Sequence, residues 1–185
     1  QARKNAPLAV KALDRLVSVR DYEDFARIYA GIGKARAAEL SNGRRQSVHV
    51  TIAGSDDIPI DLNSDLYRNL RQSLLDFGDP FQSLQLEIRE LMFVVIQANI
   101  RILPDYQWEP VVTEVRSALL DAFSFERREL GQDVVLSEVL SVMQAVRGVA
   151  YVDVDAFGGI PEKQFKPDKG RQLLTPAEIA KHVQE

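Results

Sequence analysis

The sequence predicts an α+β protein built as two small tandem subdomains, with helices packed on one face of mainly antiparallel sheets and a split βαβ, ferredoxin-like character. Three observations carry this. Segments with apolar residues at helical spacing alternate with segments in which every second residue is apolar. A helix–glycine–strand unit occurs twice, around Gly33 and around Gly148. Arg71, Leu74, Leu75 and Asp76 recur at one constant spacing as Arg116, Leu119, Leu120 and Asp121, each set on a helix that follows a strand. On this reading residues 1–17 are an arm or linker, 18–90 the first subdomain and 91–157 the second. Residues 158–185 are an extended tail with a short C-terminal helix.

The elements follow in order. Residues 1–17 are basic and then apolar, and Pro7 opens a short helix or an extended arm. A helix is predicted over about Val19 to Ala30. Ser18 and Asp21 form a capping-box pair at its start, each satisfying a backbone N–H of the other. Tyr22, Phe25, Ala26 and Tyr29 make its apolar face, and Gly31 and Gly33 end it. A strand from Lys34 to Leu40 leads into Ser41-Asn42-Gly43, where Asn-Gly favours a hairpin because both residues tolerate positive φ. The return strand, Ser47 to Ala53, sets Val48, Val50 and Ile52 on one face. A helix over about Ser64 to Phe77 turns Leu66, Leu70, Leu74 and Phe77 inward, and Gly78 and Pro80 break it.

Leu84 to Glu90 alternates and Leu91 to Leu103 continues extended. A bend is expected near Glu90, because one strand of about twenty residues would be unusual. Pro104 ends that strand, and Pro110 takes the first position of a helix from Val111 to Phe123. A further helix, about Leu136 to Arg147, carries Leu136, Val139, Leu140, Met143 and Val146 on one face. Ser137 caps it and Gly148 stops it. In the strand Val149 to Ala156, Ala150, Val152, Val154 and Ala156 face one way and Tyr151, Asp153 and Asp155 the other. Leu140 and Met143 are expected to be buried against Val152 and Val154. Beyond it, Gly158-Gly159, Pro161, Pro167 and Gly170 oppose regular structure. Thr175-Pro176-Ala177-Glu178 is a capping box that opens a short helix.

Two of these stretches resemble the baseplate J-like family, the wedge proteins of contractile phage tails and related injection systems. ELGQDVVLSEVLSVMQAVRGVAYVDV, Glu129 to Val154, is similar to the family's C-terminal signature. LDRLVSVRDYEDFARIYAGIGKARA, Leu13 to Ala37, agrees with it in order and spacing. The resemblance runs from about residue 7 to residue 157. Its motifs are helix faces and turn glycines rather than catalytic residues. It implies the C-terminal portion of a non-enzymatic baseplate subunit without cofactor, catalytic residues or metal. It also implies partners: other copies of the chain and other wedge, sheath or hub proteins, in a homo- or hetero-oligomer. Such a subunit assembles in the cytoplasm and ends in a phage-tail-like particle.

Composition is ordinary for a globular chain: 185 residues, 45% hydrophobic, 27% charged, net charge −4. The absence of a basic face argues against nucleic acid as a partner. There is no cysteine, so disulfide scaffolds and thiol chemistry are excluded. The longest apolar run, Leu91 to Ile96, is far too short for a membrane span. No signal peptide is visible, and a start at Gln1 fits a fragment or a processed product.

Several groupings could carry chemistry. Asp153 and Asp155 share a strand face and could hold a divalent metal, as in the first carboxylate motif of translesion polymerases. That family places further carboxylates about a hundred residues later, and this chain ends first. An exposed acidic strand face is the plainer reading. Asp61-Leu62-Asn63-Ser64-Asp65 resembles the opening of a calcium loop, but Leu66 stands where its glycine belongs and Gln72 where its glutamate belongs. Capping by Asn63 or Ser64 explains the pattern better. His49 and His182 are far apart in sequence. Glu126-Arg127-Arg128-Glu129 reads as a solvated loop that could alternatively hold a partner's carboxylate.

A structural baseplate subunit is therefore the first reading. An enzyme or metal-binding domain using Asp153 and Asp155 is the alternative, and an RNA-binding split βαβ module a weaker third. The tail supplies the partner-interface candidates Phe165, Leu173, Leu174 and Ile179, because it carries apolar side chains outside any obvious core.

Overall fold

The computed structural model describes residues 15–41, 43 and 46–162. The chain divides into two compact units, residues 1–89 with 129–131 and residues 90–128 with 132–185. Among the described residues, four helices and two small sheets make an α+β fold.

The first unit opens with helix α1, Val19–Ile28. Its capping box forms as the sequence predicts: the Asp21 N–H donates to Ser18 Oγ at 3.2 Å, and the Ser18 N–H donates to the Asp21 carboxylate at 2.8 Å. Gly31, at φ 90°, turns the chain into strand β1, Ile32–Ser41. Strand β2, Gln46–Gly54, returns antiparallel to it, with Ala35 opposite Ile52 and Ala37 opposite Val50. Ser64 caps helix α2, Asp65–Phe77, and strand β3, Ser83–Ile88, then lies parallel to β2. The sheet order is β1-β2-β3, with β2 in the centre. Val48, Val50 and Ile52 of β2 are fully buried against Leu70 and Leu74 of α2 and Tyr22 and Ala26 of α1.

Phe77 departs from the expected inward face. It is the last residue of α2 and remains 44% exposed, its ring 5.6 Å from that of Phe25. At a helix end the next turn is missing, so the side chain is covered from one side only.

The second unit contains strand β4, Met92–Ile102, helix α3, Trp108–Ala122, helix α4, Leu136–Gln144, and strand β5, Val149–Pro161. β4 and β5 pair antiparallel as a two-stranded sheet. The break expected near Glu90 is real: β3 ends at Ile88 and β4 starts at Met92, in different sheets. The core is Val111 and Val115 of α3 with Val139 and Met143 of α4 and Val146, covering Ile96, Ala98, Ile100 and Val152.

Four local expectations are corrected here. α3 starts at Trp108, so Pro110 is its third residue rather than its first. First-turn N–H groups lack helical partners anyway, so proline is tolerated there. Val135, not Ser137, is the N-cap of α4, and it makes no side-chain cap bond. Leu140 is only half-buried, while its neighbour Val139 is fully buried. Gly158, Gly159 and Pro161 belong to β5, opposite Val95, Val94 and Met92. The Met92 side chain packs where a Cβ on Gly159 would sit, 2.9 Å from its sulfur, so glycine here makes room instead of breaking the strand.

The sequence echo between α2 and α3 does not extend to topology. α2 links two parallel strands, whereas α3 and α4 together link two antiparallel ones. Leu75 and Leu120, the matched residues, are both exposed.

Candidate interaction surface

The carboxylate pair singled out in the sequence sits on the exposed face of β5. Register passes from Gln97 opposite Ala156 to Ala98 opposite Val154, so Asp155 falls in a β-bulge with no cross-strand residue. Its carboxylate accepts a hydrogen bond from Asn99 Nδ2 at 2.8 Å. The Arg101 guanidinium lies 5.9 Å from the Tyr151 ring on the same face. Among the described residues, no three His, Cys, Asp or Glu side chains gather as a metal site would require.

The calcium-like loop is a helix cap. The Asn63 N–H donates to Asp61 Oδ1 at 2.7 Å, Ser64 Oγ donates to the Asp61 carbonyl at 2.6 Å, and the Tyr67 N–H donates to Ser64 Oγ at 3.3 Å. His49 faces Glu87 across the open side of the first sheet, Nε2 to carboxylate 3.2 Å. His182 lies outside the described residues, as do Phe165, Leu173, Leu174 and Ile179.

The run Glu126 to Glu129 is not a solvated loop throughout. Arg128 is 12% exposed: it pairs with Glu138 at 2.6 Å, donates to the Asp133 carbonyl at 2.5 Å, and lies 5.1 Å from the Phe123 ring. It ties the loop to α4. Arg127 pairs with Asp121 at 2.7 Å. In the first unit Arg89 pairs with Asp57, which with Asp56 occupies the left-handed region (φ 63° and 52°). Nothing local in the chain marks this pair, because its members come from a turn and a strand end.

Side chains occupy backbone groups of both edge strands in the first unit. The Ala37 N–H donates to Glu23 at 3.0 Å, and Arg27 Nε donates to the Ala35 carbonyl at 3.2 Å, both on β1. Glu23 and Arg27 also pair with each other at 3.0 Å. On β3 the Tyr67 hydroxyl donates to the Leu86 carbonyl at 2.6 Å. Such capping blunts addition of a further strand at these edges.

What the first unit offers instead is an apolar end. The Leu16 N–H donates to the Phe77 carbonyl at 2.8 Å, which brings Val17, 74% exposed, to the end of α2. Just beyond α2 stands Phe81, 96% exposed. The turn beneath it is tightly held. The Asp79 N–H donates to the hydroxyl of buried Tyr22 at 3.0 Å. The Phe81 N–H donates to Asp79 Oδ1 at 2.9 Å, and the Gln82 N–H donates to the Asp79 carbonyl at 3.0 Å.

No curated protein matches the chain at a significant level. Residues 14–87 match the family model described as Baseplate J-like central domain. These residues run from just ahead of α1 into β3. The stretch 129–154, which resembles the family's C-terminal signature, lies outside them. Over these residues, less than half of its length, the chain is similar to the Baseplate J-like central domain.

Proposed function

We propose that the chain is a non-enzymatic wedge subunit of a contractile-tail or injection-system baseplate, acting through protein–protein contacts. The observation that carries this reading is the family match over residues 14–87, which covers the helices and strands of the first unit. The apolar end around Phe81 is compatible with it, because surface of this kind marks protein contacts. Among the described residues, no helix is long and apolar enough to cross a membrane.

Its partners on this reading are further copies of the chain and other wedge, sheath or hub proteins. Assembly takes place in the cytoplasm, and the product is part of a phage-tail-like particle. Residues 18–90 and 91–157 act as the two folded parts. The tail contributes Phe165, Leu173, Leu174 and Ile179 to a contact with a neighbouring subunit. Contacts of useful strength bury roughly 1,200–2,000 Å² in total, more readily supplied by a folded end plus a tail than by either alone.

The test is complementation. Particles from cells lacking the native gene are compared with particles rescued by the full chain and by a version carrying Phe165→Ser, Leu173→Ser, Leu174→Ser and Ile179→Ser. The reading expects rescue by the first and defective tail assembly with the second. Normal contractile particles without any copy of the chain would refute the structural role. Full rescue by the second version would remove the tail from the interface.

A further inference from the structure

We propose that Phe81 is a preorganised anchor which inserts into an apolar pocket, rimmed by basic side chains, on a different protein of the particle. This rests on the baseplate reading above.

The first support is exposure combined with order. A phenylalanine normally folds onto neighbouring surface, because burying its ring is favourable by roughly 1.5–3 kcal/mol. Phe81 is 96% exposed and contributes to neither core of the protein. Yet its backbone is fixed at three points: Asp79 to Tyr22, Phe81 to Asp79, and Gln82 to Asp79. Tyr22 is itself 2% exposed, so the turn is fastened directly to the core of the unit.

Gly78 completes the device. A Cβ there would lie 2.5 Å from the Leu74 carbonyl oxygen and 2.6 Å from the Tyr22 hydroxyl. Glycine therefore lets the turn leave α2 at once and close onto Tyr22. The ring is held out on a short rigid support, and docking costs little further ordering of the chain. Aromatic side chains that enter pockets with their backbone already in place are the residues that dominate contacts between proteins.

Charge decides the occupant. Asp76 lies just ahead of the turn and is exposed, and half-buried Asp79 lies within it. A second copy docking end to end would set these carboxylates against their own kind, which like-charge repulsion disfavours. A pocket rimmed by lysine or arginine gains from the same two groups. Val17 and Phe77, exposed at the same end of α2, offer further apolar surface.

The experiment uses the full chain in assembled particles. Phe81→Ala and Phe81→Ser are compared with wild type for incorporation, alongside Leu75→Ala as an exposed control on α2. A photo-reactive phenylalanine analogue is placed at position 81, and its crosslinked peptides are identified. The expected result is unchanged thermal unfolding for both Phe81 variants, with affinity for the particle lowered by about thirty-fold or more, as for a central aromatic anchor. Leu75→Ala incorporates normally. Crosslinks fall on one other particle protein, in a peptide with apolar residues beside lysine or arginine. Normal incorporation of Phe81→Ser overturns the proposal while leaving the baseplate reading intact. Crosslinks to a second copy overturn the choice of partner. If wild-type chain is not incorporated at all, the baseplate reading fails and this inference falls with it.

Discussion

Leu74 and Leu75 stand side by side on α2, and truncating each to alanine tests the packing of the first unit with the local chemistry held constant. Leu74 is 0% exposed, inside the cluster of Tyr22, Ala26, Val48, Val50, Ile52 and Leu70; Leu75 is 41% exposed. Leu74→Ala removes about three carbons from the core, worth about 2.4 kcal/mol at about 0.8 kcal/mol each. A residual cavity of about 50 Å³ adds about 1.2 kcal/mol at about 24 cal/mol per Å³. The total, about 3.6 kcal/mol, lies inside the usual range of about 2–5 for a buried leucine. Leu75→Ala leaves no closed cavity and should cost about 1 kcal/mol or less. Helix propensity hardly enters, because alanine is at least as good a helix former as leucine.

The assay is native-state hydrogen exchange at the backbone amides of Val48, Val50 and Ile52, which report opening of this unit without assuming that the whole chain unfolds in one step. An increment of about 3.6 kcal/mol accelerates exchange about four-hundred-fold, at about 1.4 kcal/mol per factor of ten. Leu75→Ala should accelerate it about five-fold or less by the same conversion. Equal acceleration by both variants, or none by Leu74→Ala, would refute the assignment of the buried face.

Three further outcomes are expected. Met143→Ala should destabilise the second unit by about 2–5 kcal/mol, and half-buried Leu140→Ala by clearly less, read from chemical denaturation followed by Trp108 fluorescence. Gly78→Ala should lower stability by about 1–3 kcal/mol, since its Cβ would overlap the Leu74 carbonyl and the Tyr22 hydroxyl; an unchanged melting temperature would show that the turn gives way freely. Asp153→Asn combined with Asp155→Asn should leave stability within about 0.5 kcal/mol, as for exposed sites, and calorimetry of the wild type with magnesium, manganese or calcium should show no binding. Micromolar metal binding that the double variant abolishes would favour the metal-site alternative instead.

Much of the fold was legible because it rests on local rules. The capping box of Ser18 and Asp21 and the alternation of Val48, Val50 and Ile52 follow from backbone geometry within a few residues. The misreadings arose where distant chain decides. Gly158 and Gly159 look like strand breakers until Met92 is seen packing over Gly159. Leu140 and Val139 both fit the apolar stripe of α4, and only the position of the β4–β5 sheet shows that the stripe centres on Val139 and Met143. Arg128 reads as solvated because its partners, Glu138 and the Asp133 carbonyl, come from the far side of the loop. Phe81 carries no local signal. An apolar residue between Pro80 and Gln82 looks unremarkable in sequence, and its exposure depends on the Tyr22 hydroxyl holding a turn many residues away.

The central claim is that the chain is a built-in part of a baseplate, and imaging the particle tests it most directly. Purified contractile particles carrying the full chain with a small electron-dense tag at its C-terminus would be examined by electron cryo-microscopy. The expected result is density from the tag at the baseplate end of every tail, in a symmetric ring, before and after contraction. Intact particles with tag density elsewhere, or with none, would contradict the account.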